Sequence, residues 1–218
     1  MHFEILVEDS STERLLEHLM PKLVGPLHQP HSWTLHPYKG KGRLPHNLRD
    51  APKSEHRDFL LPNLPILLRN YAKQANIDGV IVVCDTDDSD CVAFLNELKH
   101  VAKVSGADAI AMFRLATEET EAWFLGDKQA LLEAYPRAKK RLLNAYVQDS
   151  VCGTWERLAD IVHPGGSRAI LRAGWPASGN LKHKWADEVG PLMDAERNRS
   201  PSFGKLRDGL RRLAAQPS

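Results

Sequence analysis

The fold class is decided by the stretch GVIVVCDTDDSD, residues 79–90. From Gly79 to Cys84 the chain is apolar and rich in β-branched side chains, which is typical of a central parallel strand covered on both faces. An acidic run begins at Asp85, directly after this strand. In open parallel sheets, ligands bind beyond the carboxyl ends of the strands. The stretch therefore predicts a buried strand that ends at a ligand-binding edge.

Other strands are predicted on both sides of this stretch. The apolar run 3–7 is followed by a helical pattern in which Ser10 and Glu13 match a capping box. Two further short runs, 33–35 and 109–113, also have the composition of strands. Because strands alternate with helices, we expect an α/β fold with a mostly parallel sheet flanked by helices.

The helical patterns between and after the strands set the predicted domain organisation. One helix is expected over 64–74 with Pro65 in its first turn, and another after Asp90 with Val92 facing inward. From Thr117 the pattern is helical again, and beyond about residue 136 the strand signals fade. We therefore expect a catalytic α/β domain over 1–136 and a helical C-terminal extension over 137–218, packed on it.

Composition excludes several classes of protein. The formal net charge of the 218 residues is only +1, so nucleic-acid contacts must come from local basic patches. Three cysteines without a CxxC pair, namely Cys84, Cys91 and Cys152, argue against zinc ribbons and disulfide frameworks. No apolar run approaches the ~18 residues of a membrane span, and the N-terminal residues do not resemble a signal peptide. We expect a cytoplasmic protein with no membrane partner.

Acidic residues follow each of the three strongest predicted strands. They are Glu8 and Asp9 after the first, Asp85 and Asp87 after the central one, and Glu118, Glu119 and Glu121 after the last. Carboxylates roughly 5 Å apart repel by about 3 kcal/mol at an effective dielectric near 20, so a shared crevice would favour a bound cation. Oxygen ligands without His or Cys suit Mg²⁺ or Mn²⁺.

Some of these acids also have a plain structural interpretation. The helix after the central strand could be capped by Asp88, Ser89 or Asp90. Negative charge also stabilises a helix N-terminus, which would account for Glu118 and Glu119. The D-x-D spacing of Asp85 and Asp87 directly after a buried strand instead favours a functional role, as ligands of a cation, for these two residues.

Two groups of basic residues are candidates for contacts with nucleic acid. Lys39, Lys41 and Arg43 lie in a glycine-rich loop after the second strand, where they could bind phosphates. Lys182 and Lys184 belong to a basic tail that could bind nucleic acid or an acidic protein. Ordinary solvated surface charge is the alternative for both groups.

These residues resemble a known fold. The segments LVEDSSTERLL and IVVCDTDDSD resemble the Toprim fold of topoisomerases, primases and OLD-type (overcoming-lysogenisation-defect) nucleases. The segments RLATEETEAWFLGD and RNRSPSFGKLRDGLRRL resemble a group of small bacterial Toprim-like proteins, often encoded beside ATPases. The resemblance implies metal-dependent cleavage of nucleic acid, an ATPase as partner protein and a role in phage defence.

By this resemblance, Glu8 matches the Toprim glutamate, and Asp85 and Asp87 match its D-x-D motif. Glu121 matches an acid that OLD-type enzymes use near a second metal, and Glu119 is another candidate for that role. The chain departs from the commonest glutamate motif by having Asp9 where glycine follows the glutamate.

The sequence leaves three functions open. The first is a nuclease in which Glu8, Asp85 and Asp87 hold Mg²⁺ or Mn²⁺ and Glu121, with Glu119, helps hold a second ion. The second is a non-catalytic effector or regulatory subunit of an ATPase complex. The third is a phosphohydrolase with Asp85 as nucleophile, which is disfavoured because such enzymes place D-x-D on their first strand.

Overall fold

The sheet has four parallel strands in the order β2-β1-β3-β4. In the computed structural model, which describes residues 1–87, 89–117, 119–150 and 153–216 (175–177 by backbone alone), the strands are β1 His2–Val7, β2 Ser32–Pro37, β3 Gly79–Asp85 and β4 Ala111–Ala116. The α/β class with a parallel sheet flanked by helices is confirmed.

Helices lie between successive strands, and the regular secondary structure described after β4 is entirely helical. They are α1 Ser10–Val24, α2 Leu60–Tyr71, α3 Cys91–Val104, α4 Glu121–Gly126, α5 Lys128–Ala134, α6 Lys140–Ala145, α7 Thr154–Val162, α8 Gly166–Ala173, α9 Trp175–Val189 and α10 Pro201–Ala214. Two short 3₁₀ helices cover Ser54–His56 and Gly190–Leu192. None of the helices described is long and apolar enough to cross a bilayer.

The central strand β3 is buried on both faces, as its composition predicts. Ile81 and Val83 face the core formed with α1, α4 and the C-terminal helices. Val80, Val82 and Cys84 face a second core, formed with α2 and α3. Burial on both faces positions the end of β3, including Asp85, at the carboxyl edge of the sheet.

The C-terminal helices share a core with the sheet. Trp185 of α9 and Phe203 of α10 are buried in the same cluster as Phe3 of β1 and Leu16 of α1. Trp123 of α4 also donates a hydrogen bond from Nε1 to Ser202 Oγ at 3.0 Å. These contacts bring α9 close to the carboxyl ends of the strands. The division of the chain at residue 136 stays a prediction.

The start of α1 differs from the sequence prediction. Asp9, rather than Ser10, caps the helix: its carboxylate accepts a hydrogen bond from the Thr12 backbone N–H at 2.7 Å. Asp9 has φ −148° and ψ 170°, an extended conformation that any residue adopts. The turn after Glu8 therefore does not require the glycine of the common Toprim motif.

Three other boundaries also differ. Helix α2 begins at Leu60 because Leu60 and Leu64 join one buried stripe, so Pro65 lies in the second turn. Strand β4 continues to Ala116, paired with Asp85 of β3, so the next helix begins at Glu121 rather than near Thr117. In α3, Phe94 takes the buried position, and Val92 is 69% exposed instead of facing inward.

Asp90 is the cap of α3, as the structural interpretation proposed. Its Oδ1 accepts hydrogen bonds from Val92 N at 2.9 Å and Ala93 N at 2.8 Å. We expect Asp90→Ala to lower the free energy of unfolding by about 1 kcal/mol in urea titrations. Asp90→Asn keeps the acceptor oxygen and should retain most of the stability; an equal loss in both variants would contradict the capping role. Asp88 lies outside the described residues.

Candidate active site

A cleft of about 740 Å³ lies at the carboxyl ends of the strands. Its acidic side contains Glu8, Asp9, Asp85, Asp87 and Glu119. The opposite side is formed by helices α7 to α9, with Trp155, Ile170, Leu171, Lys182 and His183. One side of the cleft is therefore anionic and the other is a mixture of apolar and basic groups.

Glu8 and Asp85 are adjacent at this edge. The Glu8 carboxylate accepts a hydrogen bond from the Asp85 backbone N–H, with Oε2 and N 3.2 Å apart. The contact follows from the register, because β1 pairs with β3 up to Val7 and Val83. The sequence interpretation placed these two acids at one edge of the sheet, and the coordinates bring them together there.

Asp87 lies at the mouth of the cleft. Its φ of 46° is in the left-handed region, which Asp adopts more readily than most residues. Its side chain is 57% exposed, and its carboxylate binds the Lys41 ammonium group. Lys41 also donates a hydrogen bond to the Asp85 carbonyl oxygen at 2.9 Å. A lysine thus lies among the predicted metal ligands.

The basic loop does open on the acidic edge. Gly40 N donates to the Glu8 carbonyl oxygen at 2.9 Å, and Leu61 N donates to the Lys41 carbonyl oxygen at 2.8 Å. Lys39 lines the cleft and is 78% exposed, paired with Asp58 at 2.8 Å. Arg43 is exposed farther along the same loop. The loop therefore places one lysine inside the acidic cluster and other cations outside it.

A second lysine joins Glu119 and Glu121. Lys182 Nζ is 2.9 Å from Glu119 Oε1 and 3.4 Å from Glu121 Oε2. Glu121 is fully buried as the first residue of α4, and Glu119 also accepts a hydrogen bond from Trp155 N at 3.1 Å. Lys184 lies outside the cleft and pairs with Glu188 at 3.8 Å. Glu118 falls outside the described residues.

Two contacts with α1 place helix α9, and with it Lys182, beside the acidic cluster. His183 Nε2 and Ser10 Oγ are 2.7 Å apart, and Arg14 pairs with Asp187 at 2.6 Å. The sequence interpretation treated Lys182 only as a candidate contact to nucleic acid. A sequence signal for its inward direction does exist: Lys182 lies one turn before the buried Trp185, on the same helical face.

The electrostatics of the cluster are those of charges held away from water. Burial raises the pKa of Glu8 to about 7, and burial likewise raises the pKa of Glu121 to about 7. Burial and the Glu8 charge raise the pKa of Asp85 well above its usual range. Burial alone would lower the pKa of Lys182, but the charges of Glu121, Glu119 and Asp85 raise it above its ordinary value.

No match was found among protein-family models, curated proteins or solved structures. The geometry of the site must therefore carry the functional argument. Within the described ranges, no group of three or more His, Cys, Asp or Glu side chains is arranged around a single metal position. The Lys182 ammonium group lies between the carboxylates of Glu119 and Glu121, and the Lys41 ammonium group binds the Asp87 carboxylate and the Asp85 carbonyl oxygen.

The donor set nevertheless fits a divalent cation by its chemistry. Its members are carboxylates at the ends of three parallel strands, and Asp85 and Glu121 are buried. Buried carboxylates of like charge require a cation or a proton to be tolerated. Two ammonium groups, from Lys41 and Lys182, provide that positive charge in the metal-free chain. Hard carboxylate oxygens suit Mg²⁺ or Mn²⁺.

A second cavity, of about 510 Å³, lies beside the outer strand β4. It is lined by apolar residues of α3 and β4 together with Lys99, Lys103 and Arg114, and Asp108 is its one acidic residue among those described. Its described lining lacks the convergent carboxylates of the first cleft, so the cleft at the strand ends is the better candidate for an active site.

Proposed function

We propose that this protein is a metal-dependent phosphodiesterase of the Toprim type that cleaves nucleic acid. One observation carries the proposal: Glu8 and Asp85, at the ends of two neighbouring strands, are in contact at 3.2 Å in one cleft that Asp87 and Glu119 also line. Such an arrangement disfavours the folded state of the metal-free protein. Perturbed carboxylates that line a cleft are characteristic of functional sites.

In this proposal Glu8, Asp85 and Asp87 hold Mg²⁺ or Mn²⁺. The ion, when bound, supplies Lewis-acid polarisation of a phosphoryl oxygen. Binding would release Lys41 from Asp87, and its ammonium group would then be available to offset charge that develops on the phosphate. Glu121, with Glu119, completes the acidic side of the site and orients Lys182.

The walls of the cleft support a nucleic-acid substrate. Lys39 is exposed at the rim and can reach a backbone phosphate. On the opposite side, Trp155 and Leu171 offer an apolar surface of the kind against which an unstacked base can lie. Two exposed cations outside the cleft, Arg43 on the basic loop and Lys184 on α9, would in this proposal contact flanking phosphates.

The sequence resemblance supports the same assignment. Glu8 and the D-x-D pair Asp85 and Asp87 occupy the positions of the Toprim glutamate and aspartates, and Glu121 that of the additional acid of OLD-type nucleases. The resemblance also leads us to propose a partner ATPase and a role in phage defence. A docked ATPase would bring the nucleic acid to the cleft.

The proposal is tested by assaying cleavage of single- and double-stranded DNA and of RNA with Mn²⁺, Mg²⁺ or a chelator. We expect cleavage with Mn²⁺, none with the chelator, and a loss of about 100-fold in Glu8→Gln, because a ligand carboxylate becomes a neutral amide. The matched control is Glu97→Gln, an exposed glutamate of α3 outside the cleft, which should retain full activity.

Equal activity of Glu8→Gln and Glu97→Gln would rule out the assigned metal site. A chain that cleaves no substrate with any divalent ion, alone or with its partner, would contradict an enzymatic function. That outcome would favour the alternative of a non-catalytic subunit of an ATPase complex, in which Lys41 and Lys182 permanently neutralise the acidic cluster.

A further inference from the structure

The two lysines of the acidic cluster differ in the burial of the carboxylates that they bind. Lys41 lies in a loop between Gly40 and Gly42, and the carboxylate that it binds, Asp87, is more than half exposed. Lys182 lies in the middle of α9, and its partners Glu119 and Glu121 are mostly or fully buried. Both lysine side chains are mostly buried, at 14% and 17% exposure, so the difference lies in their partners: the carboxylate that Lys41 binds is open to solvent, whereas the two that Lys182 binds are not.

We propose that Lys182 takes the position of a second metal ion, so that this site binds a single divalent cation beside Glu8, Asp85 and Asp87. The inference rests on the proposed function and departs from the two-ion arrangement that the sequence resemblance implies. Glu119 and Glu121 would serve as partners of the lysine rather than as metal ligands.

The contacts of Lys182 support this assignment. Its Nζ lies 2.9 Å from Glu119 and 3.4 Å from Glu121, and so bridges the two carboxylates that would otherwise be ligands of a second ion. Only 17% of the lysine side chain is exposed, so the ammonium group is largely enclosed with its two carboxylate partners. A divalent ion bound between these glutamates would lie next to the ammonium group of Lys182, and the two positive charges would repel each other.

The surroundings of α9 oppose movement of the lysine. The next residue, His183, contacts Ser10 at 2.7 Å, and Trp185 is buried one turn further along. Arg14 of α1 holds Asp187 at 2.6 Å. Lys182 lines the cleft, so moving its ammonium group away would leave Glu119 and Glu121 without the cation that they bind. The fixed ammonium group instead supplies a permanent positive charge beside Asp85.

The assignment predicts metal stoichiometry, which can be measured without any activity assay. The full chain is titrated with Mn²⁺, and binding is measured by isothermal calorimetry and by the electron paramagnetic resonance signal of the free ion. Both methods should give one Mn²⁺ per chain. In Lys182→Met, the released Glu119 and Glu121 should bind an additional ion, giving two per chain. Lys73→Met, which removes an exposed lysine of no assigned role, should still bind one.

A second variant protects the test against loss of folding, because removing the cation from buried glutamates is destabilising. Lys182→Arg retains the positive charge and should also bind one Mn²⁺. Circular dichroism at the titration temperature verifies that each variant is folded. The wild-type stoichiometry is decisive on its own: two ions bound to the wild-type chain would overturn the inference, whatever the variants do.

The remaining outcomes separate the inference from the proposed function. If folded Lys182→Met binds no additional ion, Glu119 and Glu121 do not form a latent metal site and the inference is wrong. If the wild-type chain binds none but Lys182→Met binds one, the lysine does occupy an ion position while the proposed metal site at Glu8 and Asp85 fails. If neither chain binds Mn²⁺, both proposals fail.

Discussion

Asparagine in place of Asp85 is expected to abolish Mn²⁺-dependent cleavage while making the metal-free protein harder to unfold. The expected loss in kcat/KM is at least about 1000-fold, equivalent to about 4 kcal/mol of transition-state stabilisation. The expected gain in unfolding free energy is about 1–2 kcal/mol. A purely structural aspartate would show neither the activity loss nor the gain in stability.

The opposing effects have one physical cause. Asp85 is buried at the end of β3 beside Glu8, and burial with the neighbouring charge raises its pKa well above the usual range. An ionised Asp85 therefore destabilises the metal-free fold, and asparagine removes that charge with little change in shape. The same carboxylate is the central ligand in the proposed site, so its loss removes metal binding.

Asp85→Asn is tested by cleavage kinetics with Mn²⁺ and by urea denaturation at pH 8 in the presence of a chelator. Glu97→Gln serves again as the control, because its exposed carboxylate lies outside the cleft and should change neither quantity. A variant that is less stable than the wild-type chain and still cleaves would show that Asp85 stabilises the fold and does not take part in the reaction.

The second large effect is on the pH dependence of stability. Burial raises the pKa of both Glu8 and Glu121 from 4.5 to about 7. Between these values the folded chain holds protons that the unfolded chain has released, so unfolding becomes more favourable as pH rises. We expect the metal-free protein to lose stability between about pH 4.5 and pH 7, by on the order of 3 kcal/mol for each glutamate.

Other shifted carboxyl groups do not cancel this trend. The pKa values of Asp160 and Asp208 are lowered by hydrogen bonds from Ser167 and from Arg207, although burial of Asp160 opposes its shift. These two aspartates stabilise the fold increasingly as pH rises towards 3.8, the ordinary pKa of aspartate. Above that pH their contribution to stability is complete. The window from pH 4.5 to 7 therefore reports mainly on the buried acids of the cluster, Glu8, Glu121 and Asp85, because burial raises the pKa of all three.

Urea denaturation at a series of pH values, with a chelator and then with Mn²⁺, measures this dependence. In Glu121→Gln the decline should be smaller than in the wild-type chain, because Glu121 is absent while the buried Glu8 and Asp85, whose pKa values are also raised, still titrate. Mn²⁺ should stabilise the protein more at pH 8 than at pH 5, because the ion binds ionised carboxylates. If the free energy of unfolding of the metal-free protein increased steadily from pH 4.5 to pH 7, the pKa values of the buried carboxyl groups would not be raised as stated here.

Local sequence predicted most of the architecture. The continuous β-branched run from Gly79 identifies a strand covered on both faces, because only such a strand can be apolar at every position. Acidic residues after successive strands predict a shared edge, because parallel strands place their carboxyl ends together. Boundaries at Glu121 and Leu60 were missed because pairing of β4 with β3 and burial of the leucine stripe overrode local propensity.

Local composition was enough to predict the class of fold and the candidate acids, because strand composition and the residues that follow each strand are local properties of the chain. Which cations meet those acids depends on how distant parts of the chain pack together. Lys182 lies 61 residues from Glu121 in the chain, and Lys41 lies 46 residues from Asp87. Such pairs form only when helices and loops pack, since no local rule of sequence fixes the distance between charges so far apart.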